Sequence, residues 1–238
     1  GSHYDRTNTW WYNAGKDWFK YMARGQYLLR QGIPVYDFLV FPGDASPNPS
    51  FRPKLPEQIK YLTTNREVLV NRVTVENGLL KLPEGIEFKA LIVGRIQKIE
   101  LPTLRRLKEL SDKGAVIIGE KPVSIAAYKT TKAQEEEFKT LVANIWNKPT
   151  TYSDMDWDKL LPQLNVTPDF EVKGKESYGY IHRKSVSEDI YFFYNEDDTA
   201  QVYECTFNVD GKIPELWNPM TGEITKLVQY SNKDGKTQ

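Results

Sequence analysis

The apolar positions fall into two regimes along the chain. Trp11, Ala14, Trp18, Tyr21, Met22, Gly25, Leu28 and Leu29 recur every three or four residues, which predicts an amphipathic helix. Gly32 is placed to end it and Pro34 follows. Val35–Phe41 is an apolar run of strand length, suited to burial on both faces. A proline-rich loop, Pro42–Pro56, comes next; long ordered loops tend to serve function or to pack on a neighbour. Asn65 is placed to cap a short helix through Asn71. Val73–Leu82 alternates around Asn77-Gly78, a hairpin signal. Phe88–Gly94 and Ala115–Gly119 read as buried strands. Between them Leu101, Leu104, Leu107 and Leu110 form one helix stripe, with Pro102 in the first turn and Gly114 as the stop. Lys132–Trp146 is a further helix with Phe138, Leu141, Val142 and Ile145 facing inward.

After Asn147 the regime changes. A short helix runs from a cap at Ser153 or Asp154 to Leu161. From Tyr178 onward the pattern is β: Tyr178–Arg183, Ile190–Tyr194, Gln201–Val209, Glu215–Trp217 and Ile224–Tyr230, with turns at Asn195–Asp198, Asp210-Gly211 and Thr221-Gly222. Two parallel strands joined through a helix require a right-handed crossover with that helix on one sheet face. The expected fold is therefore a three-layer α/β domain of the flavodoxin or amidotransferase kind, with a mostly parallel sheet, followed by a small β-sandwich. The expected boundaries are 1–33 for a linker helix packing on the α/β domain, 34–165 for that domain, and 166–238 for the sandwich. The tail Ser231–Gln238 is polar, which leaves the sandwich without a final apolar strand and so incomplete.

Charge narrows the function classes. Lys+Arg and Asp+Glu are both 32 in a chain of 238 residues, so the net charge is zero. A balanced chain offers no electrostatic footprint for nucleic acid or an anionic membrane. No apolar run reaches the roughly 20 residues of a membrane helix, and no charged-then-apolar leader opens the chain, so an intact secretory precursor is not expected. Aromatic residues make up 13%, which suits sugar contacts, interfaces or aromatic cores alike.

The tests for chemistry are mostly negative. The turn after Val93 reads Gly94-Arg95-Ile96-Gln97, with no further glycine where a dinucleotide loop needs one. Phe41–Asp44, Gly94–Lys98 and Gly119–Pro122, the three strand ends, read as connective loops. Cys205 is in phase with Tyr203, Phe207 and Val209, so it reads as an inward strand residue and not as a thiol nucleophile on a strand-to-helix turn. Asp154, Asp156 and Asp158 resemble the opening of a calcium loop, but Lys159 and Asn165 stand where glycine and a bidentate Glu belong. His182 and His3 share no metal-ligand spacing and read as structural or solvent-facing. No metal and no cofactor is expected. The first eleven residues hold His3, Asp5, Arg6, Trp10 and Trp11. They fit a sugar site, or a helix start in which Thr9 caps and the tryptophans pack on the sheet.

Several stretches in order resemble one family. They are Arg6-Thr7-Asn8-Thr9-Trp10-Trp11; Tyr21 through Gly32; Phe41 through Asn48; Asn71-Arg72-Val73; Tyr180-Ile181-His182-Arg183; Asp189-Ile190-Tyr191-Phe192; and Glu215 through Gly222. Together the set resembles glycoside hydrolase family 106, the α-L-rhamnosidases. The resemblance implies a large protein with a (β/α) catalytic barrel followed by an α/β domain and β-sandwich modules. On that reading this chain begins at the last barrel segment and stops inside a sandwich. Gly1–His3 reads either as native, since a similar tripeptide precedes the Arg motif in the family, or as a tag scar. Glycoside hydrolysis needs two carboxyl groups flanking the scissile bond; the resemblance puts both upstream, so no catalytic residue is assigned here. It also implies that His3, Arg6, Trp10 and Trp11 lie at a substrate rim, that the partners are the barrel of the same polypeptide and a rhamnose-containing glycan, and that the parent is a periplasmic or extracellular bacterial protein. Gly25 stands where relatives often carry cysteine, and Gly94-Arg95 where proline is common. A stand-alone carbohydrate-binding module and a scaffold or oligomerisation domain are the rival readings.

Overall fold

The computed structural model describes residues 15–44, 51–94, 96–174, 178–194 and 198–238. They form two units. One joins the described residues up to Pro34 with Asp169–Gln238, and the other is Val35–Pro168. Helix α1 (Gly15–Leu29) leads through Gly32, at φ 53, into strand β1 (Ile33–Pro34), and β1 is taken up by the later β-rich chain.

The α/β unit starts with β2 (Phe38–Phe41), β3 (Tyr61–Thr63) and helix α2 (Arg66–Asn71), whose first turn is capped by the Asn65 side chain accepting from the Val68 amide. A three-stranded antiparallel sheet follows: β4 (Thr74–Glu76), β5 (Leu79–Lys81) and β6 (Glu87–Phe88). The turn between β4 and β5 places Asn77 at φ 52 and Gly78 at φ 80, as an Asn-Gly hairpin requires. Then come β7 (Ala90–Val93), β8 (Lys98–Ile99), helix α3 (Leu101–Asp112), β9 (Ile117–Ile118), β10 (Ser124–Ile125), helix α4 (Lys132–Trp146), β11 (Thr151–Tyr152) and helix α5 (Trp157–Gln163).

Five of these strands make one parallel sheet in the order β11-β9-β7-β2-β3. Every residue of β2 and β7, the central pair, is buried, which is why both read as unbroken apolar runs. Counted along the chain as one to five, the strands stand 5-4-3-1-2, so the order reverses between β2 and β7. The loops leaving that switch point are where open sheets of this kind take ligands.

In the described part of those loops the Asp44 carboxylate is engaged internally. Asp44 accepts from the Glu100 amide at 2.9 Å and from Thr103 Oγ1 at 2.6 Å. It thereby supplies the cap that Glu100, the N-cap residue of α3, does not make with its own side chain. Arg66 pairs with Glu100 at 2.5 Å. A Cβ on Gly94 would stand 3.0 Å from the Phe51 ring, and one on Gly119 would stand 2.4 Å from the Val93 carbonyl oxygen. Trp146 Nε1 donates to the Gly119 carbonyl at 2.9 Å. Helix α4 starts on a capping box between Thr131 and Gln134.

The second unit continues with β12 (Phe170–Val172), β13 (Gly179–Lys184), β14 (Asp189–Tyr194), β15 (Cys205–Phe207), β16 (Glu215–Trp217), β17 (Ile224–Lys226), β18 (Asn232–Lys233) and β19 (Lys236–Thr237). They form the sheets β1-β13-β14, β12-β15-β19-β18 and β16-β17. Side chains of the first two sheets meet in one aromatic cluster. Phe170, fully buried, is its hub, with the rings of Phe207 at 5.0 Å, Tyr180 at 5.1 Å and Phe193 at 5.3 Å. The polar tail is not left unpaired. Asp234 at φ 53 and Gly235 at φ 76 turn it into a hairpin, and Thr237 lies opposite Phe207.

Asp44→Ala removes the acceptor of both bonds at the start of α3. It should cost the α/β unit about 1–2 kcal/mol in urea denaturation, whereas Asp44→Asn retains an acceptor and should lose less. Equal losses for the two variants would contradict the capping role.

Candidate functional site

The densest buried polar cluster among the described residues lies in the β-rich unit. His182 sits on β13 with its side chain 4% exposed. Its Nδ1 is 2.7 Å from Asp169 Oδ2, just before β12, and its Nε2 is 2.9 Å from Asp189 Oδ1, at the start of β14. Asp189 also accepts from Lys212 Nζ at 2.5 Å, and Asp169 accepts from the Tyr191 hydroxyl at 3.1 Å. The Tyr191 ring stacks on the imidazole with centroids 4.0 Å apart. Strand alternation produces this arrangement: His182 and Tyr191 are direct cross-strand partners, and Asp189 starts the strand opposite Lys184.

Electrostatics keep the cluster together. The two carboxylates lie against the imidazole and the Lys212 ammonium, and these contacts offset the cost of burying the acids. Burial works to raise the Asp189 carboxyl, but hydrogen bonds from Lys212 and His182 outweigh it and hold the group below the ordinary carboxylate range. Burial first, and the Asp169 charge second, push the Tyr191 hydroxyl well above its usual value, so it stays a neutral donor. These groups are bonded to one another; His182, Asp169 and Asp189 are almost closed to solvent, while Lys212 reaches in from a partly exposed position. The cluster's chemistry is cross-linking: it ties the β12 approach, β13, β14 and the Lys212 loop together.

The neighbouring residues behave likewise. Arg183 Nε donates to the Gln31 carbonyl at 2.9 Å and its Nη2 to the Gly32 carbonyl at 2.6 Å. Gly32 is required there, because a Cβ would stand 2.2 Å from the Lys184 carbonyl oxygen. Arg24, on α1, donates through Nη1 to the carbonyls of Pro219 at 2.9 Å and Met220 at 2.7 Å, and its guanidinium packs on Gly222. The Asn218 side chain accepts from the Met220 amide at 2.9 Å, folding the same turn.

The substrate-rim residues expected from the sequence, His3, Arg6, Trp10 and Trp11, lie outside the described residues. His182 is structural, as one of its two readings had it. Its carboxylate partners were missed, because Asp169 and Asp189 stand 13 and 7 residues away with no ligand-like spacing. Cys205 is half-buried on β15 beside the aromatic cluster, and burial pushes its thiol up, away from the reactive thiolate. Among the described residues no group of three or more His, Cys, Asp or Glu could hold a metal ion. No helix there is long and apolar enough to cross a membrane.

The model of the glycoside hydrolase 106 family, described as alpha-L-rhamnosidase, matches residues 1–232. The chain belongs to this family. A protein of Formosa agariphila named "Putative beta-glucuronidase" is 32% identical over 244 residues, covering 100% of this chain and 21% of that protein. The solved structure of a rhamnosidase from Novosphingobium sp. PP1Y is 27% identical with a TM-score of 0.86, covering 100% of this chain and 24% of that one. This family 106 chain thus spans about a quarter or less of the relatives it matches. Within the described residues, the stretches that resemble the family hold Arg24, Gly32, Asp44, His182, Arg183, Asp189 and Gly222, all of which make internal structural contacts.

The Asp189 carboxyl ties the cluster to pH. Its folded value lies below its unfolded one, so it adds stability above the unfolded value, near 3.8, and loses that stability as the pH falls through the folded value. Wild type should therefore exceed Asp189→Asn in urea midpoint at neutral pH, and the gap should narrow below about pH 4. A gap that stays constant down to about pH 2 would mean that the carboxylate charge contributes nothing.

Proposed function

We propose that this chain is a non-catalytic accessory portion of an α-L-rhamnosidase-like glycoside hydrolase, lying C-terminal to the catalytic barrel and supporting it. The observation that carries the reading is the asymmetry of the matches. They take in 100% of this chain but only 21% and 24% of the two relatives. The internal use of the family-like residues supports it, since a scaffold spends its characteristic side chains on its own turns and strand pairings. On this reading the α/β unit is a flavodoxin-like layer domain; its strand order favours that description. The β-rich unit is a β-sandwich built around Phe170. The barrel of the same polypeptide is the partner, and His3, Arg6, Trp10 and Trp11 are its contribution to the rim of a site for a rhamnose-containing glycan. The acid and the base or nucleophile that glycoside cleavage needs come from the barrel.

The test is direct. The 238-residue chain, incubated with 4-nitrophenyl α-L-rhamnopyranoside, should release nitrophenol no faster than buffer. The longer polypeptide from the same reading frame should turn the substrate over. Turnover by the short chain that disappears on changing one of its own Asp or Glu residues to the amide would overturn the proposal.

A further inference from the structure

Among the described residues, large apolar side chains stand exposed at sixteen positions, and eight of these fall between Ile213 and Tyr230. They sit on and around the β16–β17 hairpin. Every residue of both strands is exposed. The register sets Trp217 opposite Ile224, with Glu215 opposite Lys226, and Leu216 opposite Thr225. Because side chains alternate between faces, Trp217 and Ile224 occupy one face and Leu216 the other. Their exposures of 43%, 54% and 59% leave apolar surface bare on both sides. An isolated two-stranded hairpin is marginal in water, and a contiguous exposed apolar surface marks a contact site. This hairpin is also held in position. Arg24 and the Asn218 side chain fasten its turn, so the bare surface belongs to a preformed element. The Glu215–Lys226 pairing balances its charge, which suits an apolar partner.

We propose that the β16–β17 hairpin is the seat of another stretch of the same, longer polypeptide, which wraps it and lays apolar side chains over both of its faces. The proposal rests on the reading of this chain as one portion of a larger hydrolase. About three-quarters or more of each relative's length lies outside the matched region, which is ample chain to supply the cover. A second copy of this chain fits less well. An isologous contact joins one patch to itself and would leave either Leu216 or the Trp217–Ile224 face bare. A covalently joined segment can wrap both faces at a high effective concentration.

Hydrogen exchange read by mass spectrometry tests this on two forms: the 238-residue chain and the longest polypeptide encoded in its reading frame. Amides of residues 213–230 should exchange at least about tenfold more slowly in the longer form. In that form Leu216→Asp combined with Ile224→Asp should return them to the short-chain rate, while amides of β2 and β7 keep theirs. Equal exchange in both forms, with rhamnosidase activity present in the longer one, overturns the docking inference and leaves the proposed function standing. Slower exchange in a longer form without glycosidase activity does the reverse. Slowing that appears in the short chain alone as its concentration rises assigns the hairpin to a second copy and overturns the proposal. A reading frame holding no more than this chain overturns both.

Discussion

The topology of this chain hangs on a clasp between residues that are 151 and 152 apart in sequence. Arg183 bonds the Gln31 and Gly32 carbonyls, and beside it Ile33 and Pro34 pair antiparallel with Lys184 and Arg183. A pairing of two residues is weak by itself. The guanidinium strengthens it, because hydrogen bonds from a charged donor are stronger than those between neutral groups. Gly32 permits it, because any side chain there would meet the Lys184 backbone. The consequence is a discontinuous β-rich unit. The chain starts it with α1 and β1, leaves for the whole of the α/β unit, and returns at Asp169. Closing a loop of that length costs entropy that grows only slowly with its size, and the clasp shares the task with the Arg24 bonds to Pro219 and Met220 and with the aromatic core.

The two units solve the problem of burial in different ways. In the α/β unit the central strands β2 and β7 are buried throughout and carry no polar side chain, and charges pair on partly exposed helix and hairpin positions. In the β-rich unit a buried ionic cluster lies against an aromatic one. Tyr191 belongs to both, with its ring near Phe170 and Phe207 and its hydroxyl on Asp169. Packing an imidazole flat against that ring fixes where the two carboxylates can sit. Replacing such a cluster wholesale with apolar groups can be neutral, but removing one member leaves a buried charge unpaired. Its members therefore act as a set.

Much of the α/β unit was legible because its signals are local. Continuous apolar runs marked β2 and β7, the leucine stripe marked α3, and Asn77-Gly78 marked the β4–β5 turn. Asp44 was read as part of a connective loop and of a family-like stretch. Its real task, capping a helix whose first residue is Leu101, is set by a partner 56 residues on. The same holds for the β-rich unit. Helical periodicity located α1 well, but a stripe of apolar residues does not say which strands it will share a unit with, and Arg24 and Arg183 supply that link over long range. His182 was visible as a strand residue, whereas Asp169 and Asp189 gave no signal, because strand pairing and not sequence spacing brings them to it. The Asp234-Gly235 turn carried a local signal that the polarity of the tail obscured.

The family-like stretches show why motif density is a poor guide to a binding site. Tyr21–Gly32, Tyr180–Arg183, Asp189–Phe192 and Glu215–Gly222 are rich in charged, aromatic and glycine residues, the composition of a site. In three dimensions they meet one another. Arg24 of the first reaches the Pro219–Gly222 turn of the last, Arg183 of the second returns to Gln31 and Gly32 of the first, and His182 bonds Asp189 of the third. A β-rich unit assembled from two distant stretches of chain needs specific long-range bonds at fixed places. Those bonds call for the same residue types as recognition does: arginines that bridge carbonyls, glycines where backbones touch, and carboxylates that orient a ring. Chemistry-bearing residues whose hydrogen bonds are already met within the fold have little left to offer a ligand. The exposed large apolar side chains of this unit gather on and around the β16–β17 hairpin, apart from that network of polar bonds.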